Sequence, residues 1–256
     1  MSTIRNGLTA RSVLLSVLLG TTPPRLPVRV LVRTTELFGI AEGTTRTALS
    51  RMAAAGEVEA QEGWYALAAD RLLARQARQE ASRSAVTQAS WDGAWAQAVV
   101  SARGPRAAAD RAALRAALTA ARLAELREGV WLRPDNLGGA PTDLDGDDDL
   151  AWFRVFPAQS SGALAERLWD LDAWAESAVR LRAEMRALLD PLRRGDRAVL
   201  RDGFVLSAAV LRQFQSDPLL PATLLAQDWP GAKLREDYDR YDTAYRALLR
   251  TWLSEQ

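Results

Sequence analysis

The chain has 256 residues, 48% of them apolar, which is long enough to bury one large hydrophobic core or several smaller ones. It contains no cysteine and no histidine, and this excludes disulfides, thiolate nucleophiles, Ser-His-Asp catalysis and metal sites built on His or Cys. The net charge of +1 is unevenly spread, because residues 1–133 hold 18 basic and 11 acidic side chains whereas residues 134–256 hold 15 and 21. The N-terminal part is therefore predicted to present an electropositive surface to a partner.

The sequence does not predict a membrane protein. No stretch approaches the roughly 18 consecutive apolar residues that a membrane span requires. The apolar run from Val13 to Leu19 is too short, and it lacks the cleavage site of a signal peptide. We therefore expect a cytoplasmic protein that does not bind membranes.

The first seventy residues predict three helices followed by a β-hairpin. Apolar residues recur at helical spacing over 9–19, over 27–38 and over 42–55, and two short strands flank the turn within 58–67. Three helices and a hairpin in this order are typical of a winged helix-turn-helix. We place such a DNA-binding domain at residues 1–69.

The third predicted helix is the candidate for DNA recognition. Hydroxyl side chains can donate to phosphates or base edges, and arginine can pair bidentately with guanine. Side chains of these types lie mostly off the apolar face of this helix, at Thr44, Arg46, Thr47, Ser50 and Arg51. The hairpin is less suited to DNA, because Glu59 and Glu62 place carboxylates where phosphates would approach.

The middle of the chain predicts a small α+β unit. Strands are predicted over 95–100, 129–132 and 150–156, and a helix over 107–122 follows the first of them. Their order favours a ferredoxin-like domain over residues 91–158, in which one element is too weak to identify.

Helical patterns flank the central unit on both sides. Residues 70–90 are rich in Arg, Gln and Ala and predict a linker helix, and residues 159–256 predict an all-helical domain. The expected fold class is therefore α+β, with an N-terminal winged helix-turn-helix, a central ferredoxin-like α+β domain and a C-terminal all-helical domain.

An acidic loop, Asp143–Asp149, raises the question of a metal site. It departs from the calcium-loop pattern, because Asp148 stands where that pattern needs glycine and Arg154 where it needs glutamate. We favour a solvated loop, and we predict no metal, no cofactor, no catalytic residues and no enzymatic activity. The alternative function is a divalent-metal-dependent nuclease or hydrolase built on the central domain, which would depend on Asp145 and Asp147. A protein–protein adaptor is a third possibility.

Short motifs from all three parts of the chain form one combined pattern. They are Thr45-Arg46-Thr47-Ala48-Leu49-Ser50-Arg51-Met52, Gly63-x-Tyr65-x-Leu67, Trp91-Asp92-Gly93-x-Trp95, Gly129-Val130-Trp131-Leu132, Asp217-Pro218-x-Leu220-Pro221 and Asp228-Trp229-Pro230-Gly231. Together they resemble the PaaX family of phenylacetate-catabolism repressors, and the last two motifs are the most specific.

The resemblance implies a homodimeric transcriptional repressor that leaves its double-stranded DNA operator when an aryl- or acyl-coenzyme A thioester binds. It adds Thr45 to the DNA-binding residues of the third helix, and it identifies no effector-binding residues. The family's central domain is similar to a small CRISPR-associated nuclease with a catalytic Asp at the end of its first strand. Here that strand ends Val99-Val100-Ser101, so the resemblance does not imply nuclease activity.

Overall fold

The structure is a computed structural model, and part of the chain is described. The described residues are 9–21, 23–68, 90–101, 107–137, 144 and 149–255. They form a mixed α/β protein with a helical C-terminal region, in agreement with the predicted α+β class. None of the helices in these residues is long and apolar enough to span a membrane.

The elements are numbered in chain order. The helices are α1 Ala10–Leu19, α2 Val28–Glu36, α3 Glu42–Ala54, α4 Ala108–Ala120, α5 Ser161–Leu168, α6 Leu171–Arg193, α7 Leu200–Gln215 and α8 Gly231–Ser254. The strands are β1 Arg25–Pro27, β2 Val58–Gln61, β3 Trp64–Leu67, β4 Trp95–Val100, β5 Ala124–Arg127, β6 Val130–Pro134 and β7 Leu150–Val155.

The chain divides into two compact units, each built from separate stretches of sequence. The first unit contains residues 1–83, 180–211 and 234–256, and the second contains residues 84–179 and 212–233. The predicted domain boundaries therefore stay predictions. The linker helix predicted over residues 70–90 lies almost entirely outside the described residues.

The N-terminal part of the first unit packs α1, α2 and α3 against a three-stranded antiparallel sheet of order β1-β3-β2. Thr9 caps α1 through a reciprocal pair of hydrogen bonds with Ser12. The apolar spacing of the helices directs their leucines into one core, which contains Leu14, Leu18, Leu31, Leu49 and Met52. Strand β1 was not predicted, because three residues ending in proline carry no strand pattern of their own and pair only with β3.

The second unit contains a four-stranded antiparallel sheet of order β5-β6-β4-β7. Leu118 of α4 packs on one face beside Trp131, and Leu164 of α5 packs on the other beside Trp95. Strand β5 is the element that the sequence left unidentified. Its alternation is broken by a register shift between Glu125 and Arg127, which explains why no strand pattern is visible there.

The described C-terminal region is largely helical, in agreement with the helical pattern of residues 159–256. Within the first unit, Asp237 of α8 accepts hydrogen bonds from Arg182 (2.8 Å) and Arg186 (3.0 Å) of α6. The Tyr241 hydroxyl of α8 donates to the Gly203 carbonyl of α7 at 2.6 Å. These contacts fasten both α6 and α7 to α8.

Candidate nucleic-acid interface

Helix α3 has a buried face and an exposed polar face. Thr45, Leu49 and Met52 are buried, at the i, i+4 and i+7 positions that face one side of a helix. The exposed predicted residues of α3 are Thr44, Arg46, Thr47, Ser50 and Arg51. The structure therefore brings five of the six sequence-predicted residues to the surface of one helix.

Thr45 is the one residue of the six predicted to contact DNA that is buried. Its side chain is 0% exposed, and its hydroxyl lies 2.6 Å from the hydroxyl of Thr35 on α2. Thr35 is also buried and can donate to the carbonyl of Val32. As a correction, Thr45 faces the interior rather than DNA, and its hydroxyl links α2 to α3.

We expect a Thr45→Val variant to be destabilised by about 1 kcal/mol, because it keeps the shape of the side chain but removes a buried hydrogen bond. Thr47→Val is the matched control. Thr47 is exposed and donates to the Gly43 carbonyl of its own helix, so its replacement should change stability by less than about 0.5 kcal/mol. Urea unfolding of the two variants measures both values, and equal stability losses would contradict the role given to Thr45.

The two arginines of the exposed face have different surroundings. Arg46 donates to Glu42 at 2.7 Å, and both side chains are more than half exposed. Such a pair is worth only about 0.3–0.5 kcal/mol, so it can open to let Arg46 bind another group. Arg51 is exposed and has no ion-pair partner within the described residues. Arg51 is therefore the cation on this face that is most available to a phosphate or a base.

A groove runs between α3 and the N-terminal end of α1. It has a volume of about 670 Å³, and Thr44, Thr47 and Arg51 line its α3 side. On the other side Arg11 makes two hydrogen bonds to Glu57, of 2.8 and 2.7 Å. The contact between Arg11 and Glu57 spans 46 residues, and no local spacing in the sequence indicates it.

The β2–β3 hairpin presents more acid than base. Glu59 and Glu62 are exposed near or in its turn, and Gly63 adopts the positive φ that the tight turn requires. Trp64 is 43% exposed, and the guanidinium of Arg25 lies 5.7 Å from the centre of its ring. Strand β1 thus supplies a cation beside the hairpin, which the sequence pattern did not reveal.

Residues 9–68 carry a smaller net positive charge than residues 1–133 as a whole. Residues 9–68 contain six arginines and five acidic residues. Most of the net positive charge of residues 1–133 therefore comes from residues outside 9–68. Nucleic-acid binding by α3 would depend on where its arginines stand, because this region has little net charge to attract a polyanion.

The metal hypothesis for the acidic loop falls largely outside the described residues. Asp145 and Asp147 belong to the part of the chain that is not described, whereas Leu144 is buried against the α4 side of the sheet. Within the described ranges, no group of three or more acidic side chains is placed to hold a metal ion.

Comparisons with known proteins identify a family and similarity to solved structures. Residues 9–71 match the model of the PaaX-like protein family, and residues 169–255 match that of the PaaX-like protein C-terminal domain. The chain is also similar to the solved structure of the uncharacterized protein Rv0674 from Mycobacterium tuberculosis, with 40% sequence identity and a TM-score of 0.70. That similarity covers 94% of this chain and 97% of the other. No curated protein matches the chain.

Proposed function

The chain belongs to the PaaX-like family of transcriptional regulators, and from that premise we propose that it is a sequence-specific repressor that binds double-stranded DNA and has no enzymatic activity. Residues 9–68 would act as a winged helix-turn-helix. The order of α1, α2 and α3 followed by the β2–β3 hairpin supports this assignment. The nuclease alternative depends on Asp145 and Asp147, which lie outside the described residues.

The observation that carries the proposal is the exposed face of α3. It combines three hydroxyl side chains with two arginines, and it borders a groove. Arginine and short hydroxyl groups are the side chains that contact phosphates and base edges in the major groove. We propose that Arg46 and Arg51 read bases or phosphates while Thr44, Thr47 and Ser50 fix the register of the helix on the duplex.

A second part of the proposal concerns symmetry. Two copies of the chain would present their α3 helices to a two-fold symmetric operator, whose half-sites lie one or more helical turns apart. Separately, the all-antiparallel strand order β5-β6-β4-β7, with α4 connecting β4 to β5, supports the ferredoxin-like interpretation of the central region.

Selection of bound duplexes from a random DNA pool tests the DNA-binding proposal. We expect one enriched motif with two-fold symmetry, bound by two protein chains in a gel-shift titration. Enrichment of no sequence would contradict the proposal and favour a protein–protein adaptor. Cleavage of the pool in magnesium or manganese would instead favour the nuclease.

We also propose that an aryl- or acyl-coenzyme A thioester releases the protein from DNA. A ligand can do so only by binding the free and DNA-bound states with unequal affinity. Phenylacetyl-coenzyme A should therefore weaken binding to the selected duplex, whereas free coenzyme A, the matched control, should have a smaller effect. Fluorescence anisotropy of the labelled duplex during both titrations measures the difference. No release by any thioester tested would contradict effector control without affecting the DNA-binding proposal.

A further inference from the structure

The turn between α2 and α3 determines where the candidate recognition helix begins. Its backbone is closed by hydrogen bonds from Phe38 to Thr35 (3.0 Å), from Gly39 to Glu36 (2.9 Å) and from Ile40 to Thr35 (3.2 Å). Gly39 has a φ of 72°, a conformation that side chains other than glycine's rarely adopt. A turn held this tightly transmits a change in its own position to the first turn of α3.

One side chain of this turn contacts a C-terminal helix. The ring of Phe38 meets the ring of Phe204 on α7 with a centroid distance of 4.8 Å and an interplanar angle of 60°. This is the favourable edge-to-face geometry of aromatic pairs. Phe204 is only 8% exposed, so its ring is fixed by its surroundings. A residue remote in sequence therefore holds the turn that precedes α3.

Phe204 stands on a part of α7 that is fastened to α8. The neighbouring Gly203 accepts the hydrogen bond from Tyr241, and a Cβ at Gly203 would lie 2.8 Å from the ring of Tyr245. The two helices thus approach each other more closely than any larger residue at position 203 would allow. Because α7 has little freedom to move at this point, Phe204 can act as a fixed support for Phe38.

We propose that Phe204 is a positioning residue for DNA binding, acting through Phe38 on the orientation of α3. The proposal rests on the function proposed above for α3, and it gives the C-terminal helices a direct part in DNA affinity. Phe204 itself does not touch the duplex in this scheme. Its contribution is to keep α3 in the orientation in which the exposed arginines and hydroxyls reach the major groove.

The test compares Phe204→Leu, Phe38→Leu and the double variant in binding to the selected duplex. Each single variant should weaken binding by about two- to thirtyfold, the range found for residues that modulate a distant site. The double variant should have about the same affinity for the duplex as the single variant with the lower affinity. This is expected because both substitutions remove the same contact. The slope of log affinity against log salt should stay unchanged in all three, since no phosphate contact is lost.

Leu206→Val is the matched control. Leu206 is 4% exposed and lies about 200° around α7 from Phe204, so its truncation costs stability without touching the ring pair. Thermal unfolding should show comparable losses in Phe204→Leu and Leu206→Val, but Leu206→Val should bind DNA like the wild type. Unchanged or increased affinity in Phe204→Leu would overturn the proposal, as would equal losses of affinity in both variants. A wild-type protein that selects no duplex would instead refute the function proposed for α3.

Discussion

An Arg51→Ala variant is expected to bind the selected duplex more weakly than the wild type by about 1–3 kcal/mol, or roughly 5- to 150-fold. Arg51 is exposed on α3, lines the groove beside α1 and has no ion-pair partner among the described side chains. It would therefore break no ion pair with a described residue on reaching DNA. Losing a base contact or losing a phosphate contact of Arg51 would lower affinity by similar amounts. The salt dependence of the affinity distinguishes the two cases.

Fluorescence anisotropy at several salt concentrations separates the two contacts. If Arg51 reads a guanine, the variant should keep the wild-type salt slope and lose discrimination at one base pair. If it binds a phosphate, the slope should fall by about one and sequence preference should persist. Arg250→Ala is the matched control, because it removes the same charge from an exposed position on the last helix. Equal affinities of wild type and Arg51→Ala would refute the assignment of this residue.

Arg46 is expected to differ from Arg51 in a measurable way. Its pair with Glu42 must open before it contacts DNA, and removing Arg46 leaves the Glu42 carboxylate near the phosphates. The loss in Arg46→Ala therefore combines a missing contact with a new repulsion. An additional Glu42→Gln substitution should recover part of the affinity in the Arg46→Ala background, and gel-shift titration of the two proteins measures the recovery.

The sequence predicts local features of the fold well and distant contacts poorly. The spacing of apolar residues is sufficient to locate α1, α2 and α3, since a helix buries every third or fourth residue. The exposed face of α3 was predicted on the same basis. By contrast, neither the contact of Arg11 with Glu57 nor that of Phe38 with Phe204 leaves a periodic signal. Such contacts are set by how helices pack, which no short window of sequence encodes.

Thr45 shows why a motif alone misplaces a residue. The motif of α3 places Thr45 beside Arg46 and Thr47, and polarity suggests that all three face outward. Helical spacing places Thr45 on the same side as Leu49 instead, and the structure buries it there. A buried threonine is acceptable because Thr35 lies within hydrogen-bond distance. The partner on α2 is what the sequence does not reveal.

The distribution of charge alters the expected source of affinity. The surplus of basic over acidic side chains in residues 1–133 suggests strong nonspecific attraction to phosphates. Residues 9–68, however, are close to neutral. Affinity for DNA would then depend on the contacts of a few correctly positioned side chains rather than on the electrostatic attraction of the whole domain. This is why correct orientation of α3, and hence the support from Phe204, is expected to matter for binding.

A Gly203→Ala variant is expected to lose about 1–3 kcal/mol of stability. In the interior of a helix, glycine to alanine normally stabilises by about 0.5–1 kcal/mol, because alanine restricts the unfolded chain more. Here the new Cβ would lie 2.8 Å from two ring carbons of Tyr245 and 3.2 Å from the hydroxyl of Tyr241. The overlap should therefore reverse the usual sign, and it should weaken the hydrogen bond from Tyr241 to the backbone of α7.

Gly43→Ala provides the matched control for this substitution. Gly43 also lies in a helix, but nothing stands within 4 Å of the position its Cβ would take. The control should therefore be neutral or stabilised by up to about 1 kcal/mol. Urea unfolding of both variants measures the difference, and adding Tyr245→Leu to Gly203→Ala should cost less than the sum of the two single losses, since it removes the ring that the new Cβ meets. Strictly additive stability losses, or a stabilised Gly203→Ala protein, would show that α7 and α8 can separate at this point. Phe204 could then no longer act as a fixed support for Phe38.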